Sequence, residues 1–285
     1  MVGEKWKIGE ITITRIIEIE MSGGLSRFLP DATKEAVREI PWLQPHFADA
    51  NGRMRGSIHA LIIDTGNACI VVDTCIGNDK VRSIPAWDHM QTGFLDDMAG
   101  AGYPTDVVDV VLCTHLHVDH VGWNTRLENN FWVPTFSNAR YLMGADEFAF
   151  WEKRGNDEFF GPVFDDSVKP VFDAGLVDLV ATDYQVTPGV SLVPTPGHTP
   201  GHVSVLILSQ GEEALITGDF LHHPCQIAHP EWCANVDEDS TKAEQTRREI
   251  FRRFVDTPTL IIGTHFATPT AGRLVTDGDT YRLDV

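Results

Sequence analysis

The sequence predicts an α/β protein of stacked layers, and three observations lead there. Strand-like runs of β-branched and apolar residues alternate irregularly with a few helix-like segments, which argues against a doubly wound parallel sheet. Four of those runs end in loops bearing His or Asp, the layout of a site built along one edge of a sheet. With 285 residues, 42% hydrophobic and 22% charged, the chain can bury a large core without disulfide or metal staples. We read residues 1–285 as a single domain.

The elements follow in order. Residues 6–19 are rich in β-branched side chains and form an opening strand. Residues 22–57 mix Gly, Pro and charge around a helix-like piece at 31–39, an irregular arm. Two short apolar runs, 60–64 and 68–73, are split by Thr65, Gly66 and Asn67, a hairpin signal. A helix over 86–100 leads into a buried strand at 107–113. Residues 126–184 have no clean period and carry many aromatics, among them Phe131, Trp132, Phe148, Trp151, Phe159 and Phe160. They read as a helical insertion whose rings fill core or line a pocket. Strands resume at 191–194, 203–208 and 214–218. A helix over 241–256 opens with a capping-box match, Thr241 with Glu244, and a last buried strand spans 260–263.

Charge and cysteine usage narrow the function. Lys plus Arg total 22 against 41 Asp plus Glu, a net charge of −19. Such a surface repels phosphate backbones and anionic lipid, so nucleic-acid and membrane partners are not expected. No apolar run reaches the roughly 18 to 20 residues of a membrane span, and the start lacks the apolar stretch of a secretory signal. The five cysteines are odd in number and form no CxxC. Reduced thiols and a cytoplasmic location follow as the expectation.

The strongest chemical signal is His115-Leu116-His117-Val118-Asp119-His120, directly after a buried strand. His115 and His117, two apart, can converge on one ion, while Asp119 and His120 point to a neighbour. Imidazole nitrogen and carboxylate oxygen suit a divalent first-row metal, zinc leading and iron, manganese or cobalt open. Three more strand-end loops supply the same residue types: His198 in Pro-Gly-His-Thr-Pro-Gly-His, Asp219 in Thr-Gly-Asp, and His265 in Gly-Thr-His.

From about residue 58 to 270 these motifs resemble the metallo-β-lactamase-fold hydrolase superfamily. The resemblance implies a four-layer αββα sandwich holding two metals. His115, His117 and His198 would bind the first, Asp119, His120 and His265 the second, and Asp219 would bridge them. Asp73, in Val-Val-Asp-Thr, would orient a ligand imidazole from behind. The chain looks most like the branch of N-acyl-homoserine lactonases and methyl-parathion-hydrolase-like enzymes. Lactonases usually place a Tyr three residues after the bridging Asp, where this sequence has His222. The stretches at 218–226 and 265–269 look more like the methyl-parathion-hydrolase-like pattern. His222 is either an electrophilic donor or a loop histidine, and His202, His223 and His229 are structural or exposed.

The implied activity is hydrolysis of a small molecule at a dinuclear metal site. A metal-bridging hydroxide opens a lactone or cleaves a carboxylic ester, with Asp119 orienting the nucleophile and relaying a proton. A phosphotriesterase or aryl-ester hydrolase, and a β-lactamase or thioesterase, are alternatives on the same fold. An iron redox protein is the non-hydrolytic one, opposed by the lack of a following flavin-domain sequence. A homodimer through the arm is a further expectation.

Overall fold

A computed structural model describes residues 2–155 and 161–285, so Phe159 and Phe160 lie outside the described residues. The chain forms two compact units. One comprises the residues up to Glu18 with Ile58–Thr182, and the other comprises Ile19–Ser57 with Asp183–Val285.

In the first unit the expected opening strand is two antiparallel strands, β1 (Val2–Ile8) and β2 (Ile11–Ser22), turned at Gly9 with φ +54°. The predicted hairpin is present as β3 (Arg55–Asp64) and β4 (Cys69–Val72), paired antiparallel with Leu61 opposite Val72. The next strand, β5 (Val110–Leu112), is shorter than the apolar run suggests. The helix expected over 86–100 occupies only Phe94–Gly100. Pro85 before it, and His89 in the left-handed region at φ +49°, keep the preceding residues in turns.

The insertion is less helical than expected. A ribbon of β6 (Thr125–Glu128) and β7 (Phe131–Pro134) precedes β8 (Arg140–Gly144), the helix Ala145–Arg154, and β9 (Val177–Val180). Strands β8 and β9 extend the first sheet, in the order β1-β2-β3-β4-β5-β8-β9. β8 is buried along Tyr141–Gly144 while β9 is half-exposed with Leu179 outward, and neither is long enough to carry a clear alternation. Phe136, Tyr141, Phe148 and Trp151 fill core, whereas Phe131 is exposed.

The second unit's sheet runs β10 (Gln185–Thr187), β11 (Val190–Pro194), β12 (Val203–Ser209), β13 (Glu212–Ile216), β14 (Leu260–Ile262), β15 (Ala271–Asp277) and β16 (Thr280–Asp284). Strands β11 to β14 match the four expected runs, and the terminal hairpin β15–β16 is additional. The helix Ser240–Phe254 is capped by Asp239, whose carboxylate accepts from the Lys242 amide at 2.9 Å, so Thr241 falls inside the first turn. Its Ile250, Phe251 and Phe254 join Leu215, Ile261, Leu274 and Leu283 in one core. Leu29, Val37, Leu43 and Phe47 of the 22–57 arm are buried in that same core. Each such side chain contributes roughly 1.5–3 kcal/mol on burial, which ties the irregular arm down.

What positions the chemistry is strand direction. β4 and β5 are parallel, as are β13 and β14, with Ile216 opposite Ile262. Parallel neighbours release their carboxyl ends at the same edge, where α/β proteins carry their sites. No helix among the described residues is long and apolar enough to cross a membrane.

Candidate metal centre

In the first unit the carboxyl ends of β4 and β5 deliver Asp73 and the 115–120 loop side by side. The Asp73 amide donates to the Leu112 carbonyl at 2.9 Å, and Asp73 itself turns at φ +57°. That left-handed backbone is tolerated by Asp and points its carboxylate back at the loop. Oδ1 accepts from the Thr114 amide and Oδ2 from the Thr114 hydroxyl, both at 2.8 Å. Oδ2 also lies 2.8 Å from Nδ1 of His120, so the ring is oriented with Nε2 turned away from Asp73.

His115 Nε2 and His117 Nδ1 are 3.0 Å apart. His115 Nδ1 lies 3.1 Å from the Thr114 hydroxyl. Asp119 Oδ1 stands 3.7 Å from His120 Nε2. The loop is held from beneath by a residue the sequence gave no reason to single out. Glu147, buried, accepts from the Leu116 amide at 3.1 Å and from the Trp151 indole at 2.8 Å.

In the second unit Asp219 and His265 leave β13 and β14 as neighbours. Their carboxylate-to-Nε2 distance is 3.1 Å. His265 Nδ1 donates to the Ser57 carbonyl at 3.1 Å, next to a β-bridge between Gly56 and Phe266. His198 Nδ1 lies 2.8 Å from Asp237 Oδ1, with its Nε2 3.6 Å from Asp219 Oδ2. His222 Nε2 is 3.4 Å from the same oxygen. One ligand-type atom each from His198, Asp219 and His222 therefore falls within 4.8 Å of the others, all three residues buried.

A model of the metallo-β-lactamase superfamily matches residues 53–275, most of the chain. The chain belongs to that superfamily. An N-acyl homoserine lactonase of Bacillus cereus is 31% identical over 106 residues, 37% of this chain and 35% of that protein. The lactonase AttM of Rhizobium radiobacter is 30% identical over 165 residues, 55% of this chain and 59% of that one. The matched stretches thus span between about a third and three fifths of those lactonases. Among solved structures, the β-lactamase-superfamily hydrolase AbOPH superimposes with a TM-score of 0.81 at 24% identity, covering 100% of this chain and 97% of that one. AidC, a dizinc quorum-quenching lactonase, gives 0.79 at 20% identity over 99% and 97%. The fold is the metallo-β-lactamase fold, its sheets flanked by helices.

For a metallo-β-lactamase chain the donor sets fit divalent cations. Within each unit imidazole nitrogens approach one another, or the Asp219 carboxylate, at 3.0–3.6 Å, the N and O donor types that suit such ions. Among the described residues neither ring nitrogen of His222 has a hydrogen-bond partner. Burial pulls the His222 imidazole down to about 3, against the attraction of Asp219, so it is neutral at pH 7. Burial likewise pushes the Asp237 carboxyl above the usual carboxylate range.

Asp237 was not anticipated. It sits in a polar stretch, Val-Asp-Glu-Asp-Ser, where one carboxylate cannot be told from its neighbours without the fold. Its Oδ2 accepts from the Ala234 amide at 2.9 Å and lies 3.9 Å from the buried Arg247. His202 and His223 are buried and hydrogen-bonded and His229 is partly exposed, in line with the expectation for these three. His202 Nε2 accepts from the Asp219 amide at 2.7 Å, and its Nδ1 lies 2.8 Å from the Thr195 hydroxyl. Gly218, at φ +57°, allows this approach, since a Cβ there would stand 2.7 Å from His202 Nε2. His223 Nε2 donates to the Phe47 carbonyl, and His229 stacks on Trp232.

Proposed function

We propose that the chain is a metal-dependent hydrolase that opens a lactone, or cleaves a carboxylic ester, with two divalent ions, zinc foremost. The observation that carries this reading is the set of Nδ1 partners. Asp73 stands on His120, Asp237 on His198 and the Ser57 carbonyl on His265. Each partner fixes its ring by Nδ1, so that Nε2 would be left for a cation, the support that metal-bound histidines need. His115, His117 and His198 would hold one ion, Asp119, His120 and His265 the second, and Asp219 both.

Ions so held would lower the pKa of a bound water to near 7 and polarise a carbonyl oxygen. The chain's own residues divide the rest of the work. Asp119, whose side chain keeps 17% exposure, orients the attacking oxygen, takes its proton and passes it to the leaving alkoxide. Neutral His222 donates a hydrogen bond to the carbonyl oxygen as negative charge develops there. The burial of the ligand loops keeps bulk water from competing.

The lactonase relatives support the lactone arm of this reading. A phosphotriester or aryl ester is the second reading, supported by His222 standing where lactonases carry Tyr. Both use the same nucleophile, and the net charge of −19 disfavours polyanionic substrates for either. The test is turnover by zinc-loaded protein across lactones, aryl esters and a phosphotriester. Hydrolysis of lactone above buffer, abolished by chelator, is the expected result. A panel with no turnover at all would remove the assignment.

A further inference from the structure

Glu18 lies in β2, outside the ligand motifs, and its carboxylate gathers donors from two segments of the first unit. Oε2 accepts from the Ile76 amide at 2.8 Å, and Oε1 from the Gly77 amide at 3.2 Å. Oε1 also accepts from the Trp123 indole at 2.6 Å and from the Thr92 hydroxyl at 3.4 Å. Burial pushes this carboxyl above the usual carboxylate range, against the pull of these same hydrogen bonds. Taking a carboxylate out of water is costly unless donors replace the water, and here the two segments supply them.

Those segments carry the two members of one hydrogen bond. The first opens at Asp73, and Asp73, Cys75 and Gly77 take φ of +57°, +54° and +80°. Residues other than glycine hold that left-handed backbone only where their surroundings over-determine it. The second runs from His120 to Trp123. Main-chain bonds lace the two together: the Thr74 amide to the His120 carbonyl and the Gly122 amide to the Cys75 carbonyl, both at 2.7 Å, and the Trp123 amide to the Thr74 carbonyl at 2.8 Å. They lie so close that a Cβ on Gly122 would run into the Ile76 carbonyl oxygen. Glu18 joins the same two segments through a side chain, taking Ile76 and Gly77 from one and Trp123 from the other. What the joint sets is the place of Asp73, whose Oδ2 stands 2.8 Å from Nδ1 of His120.

We propose that Glu18 is a positioning residue for the metal centre: by clamping the 73–77 turn to the 120–123 segment it sets Asp73 against His120 and leaves Nε2 of that ring for a cation. The inference rests on the hydrolase reading only in taking His120 as a ligand. A neutral amide cannot replace the carboxylate. The groups around it are N–H and O–H donors, and in either orientation a glutamine turns its own NH2 on at least one N–H and leaves it without an acceptor.

Two measurements test it. The first follows the two stepwise zinc affinities by competition with a chromogenic chelator. Glu18→Gln should weaken one step about tenfold and spare the other, and should add no further loss once Asp73 is replaced by Asn. Both steps weakened alike, or losses that add, overturn the inference. The second needs no metal. Metal-free protein should show the Nδ1 proton of His120 as a downfield NMR signal, which Glu18→Gln shifts or abolishes while the other backbone amide signals keep their dispersion. A signal unchanged in the variant also overturns the inference. Should Glu18→Gln fail to fold, Trp123→Phe removes a single donor and is expected to weaken the same step and move the same signal. Protein that binds no zinc yet shows a Glu18-dependent His120 signal would sink the metal reading and leave the clamp standing.

Discussion

Nδ1 of His198 lies 2.8 Å from Oδ1 of Asp237, across 39 residues of sequence. A buried carboxylate at that position fixes the tautomer and rotation of the ring and raises its basicity toward a cation. Replacing Asp237 by Asn keeps the shape and removes the charge. We expect metal affinity to fall roughly 10- to 100-fold, read by competition with a chromogenic chelator, with the circular dichroism spectrum unchanged. An affinity equal to that of the unsubstituted protein would mean that Asp237 is merely structural.

Asp73 does for His120 what Asp237 does for His198. Among the described residues the hydrogen bonds of the two carboxylates go to different groups, Asp73 to Thr114 and His120 and Asp237 to His198 and Ala234, so their contributions should be independent. In a double-mutant cycle, Asp73→Asn and Asp237→Asn are expected to add within about 0.5 kcal/mol in the free energy of binding the first two equivalents of zinc. Strong coupling between them would contradict that independence.

His222 separates donation from ligation. If it donates to the carbonyl oxygen, His222→Phe lowers kcat about 100-fold and leaves the zinc content at two equivalents by elemental analysis. Loss of an equivalent of zinc would reassign the residue as a ligand.

Lys80 sets a pH dependence of stability. Its ammonium is buried above the Trp132 ring, 2.8 Å from the Thr125 hydroxyl and 3.6 Å from Asp166. Burial pulls it from 10.5 to about 7. Between those two values the unfolded chain holds a proton that the folded chain lacks, so stability rises with pH across that window. Below pH 7 both states are protonated and the desolvation penalty is felt in full. Urea unfolding midpoints should therefore climb from pH 7 to 9, and Lys80→Met should flatten the climb. An identical slope in the variant would exclude Lys80 as its source.

Much of this was legible before the fold was known, and the exceptions have physical causes. Strands β11 to β14 announced themselves because their β-branched runs end in loops marked by His, Gly and Asp. Strands β8 and β9 did not, since segments of four or five residues are too short to carry a clear period. The residues expected as ligands stand at strand ends and in the loops they open. The groups behind them were visible only in part: Asp73 through resemblance, Asp237 and Glu147 not at all. A carboxylate acting through another side chain has no spacing to obey, because its partner is set by tertiary contact.

The partner of His265 is of a different kind. Ser57 reaches it through a main-chain carbonyl, which every residue type possesses. That contact itself does not depend on the residue type at 57, although the buried Ser57 hydroxyl also donates to the Phe266 carbonyl at 3.0 Å. A small displacement of the bridge at Gly56, where a Cβ would stand 2.9 Å from the His265 carbonyl oxygen, would carry the ring with it. Vulnerability at this corner lies in shape, and a scan of side-chain chemistry alone would overlook it.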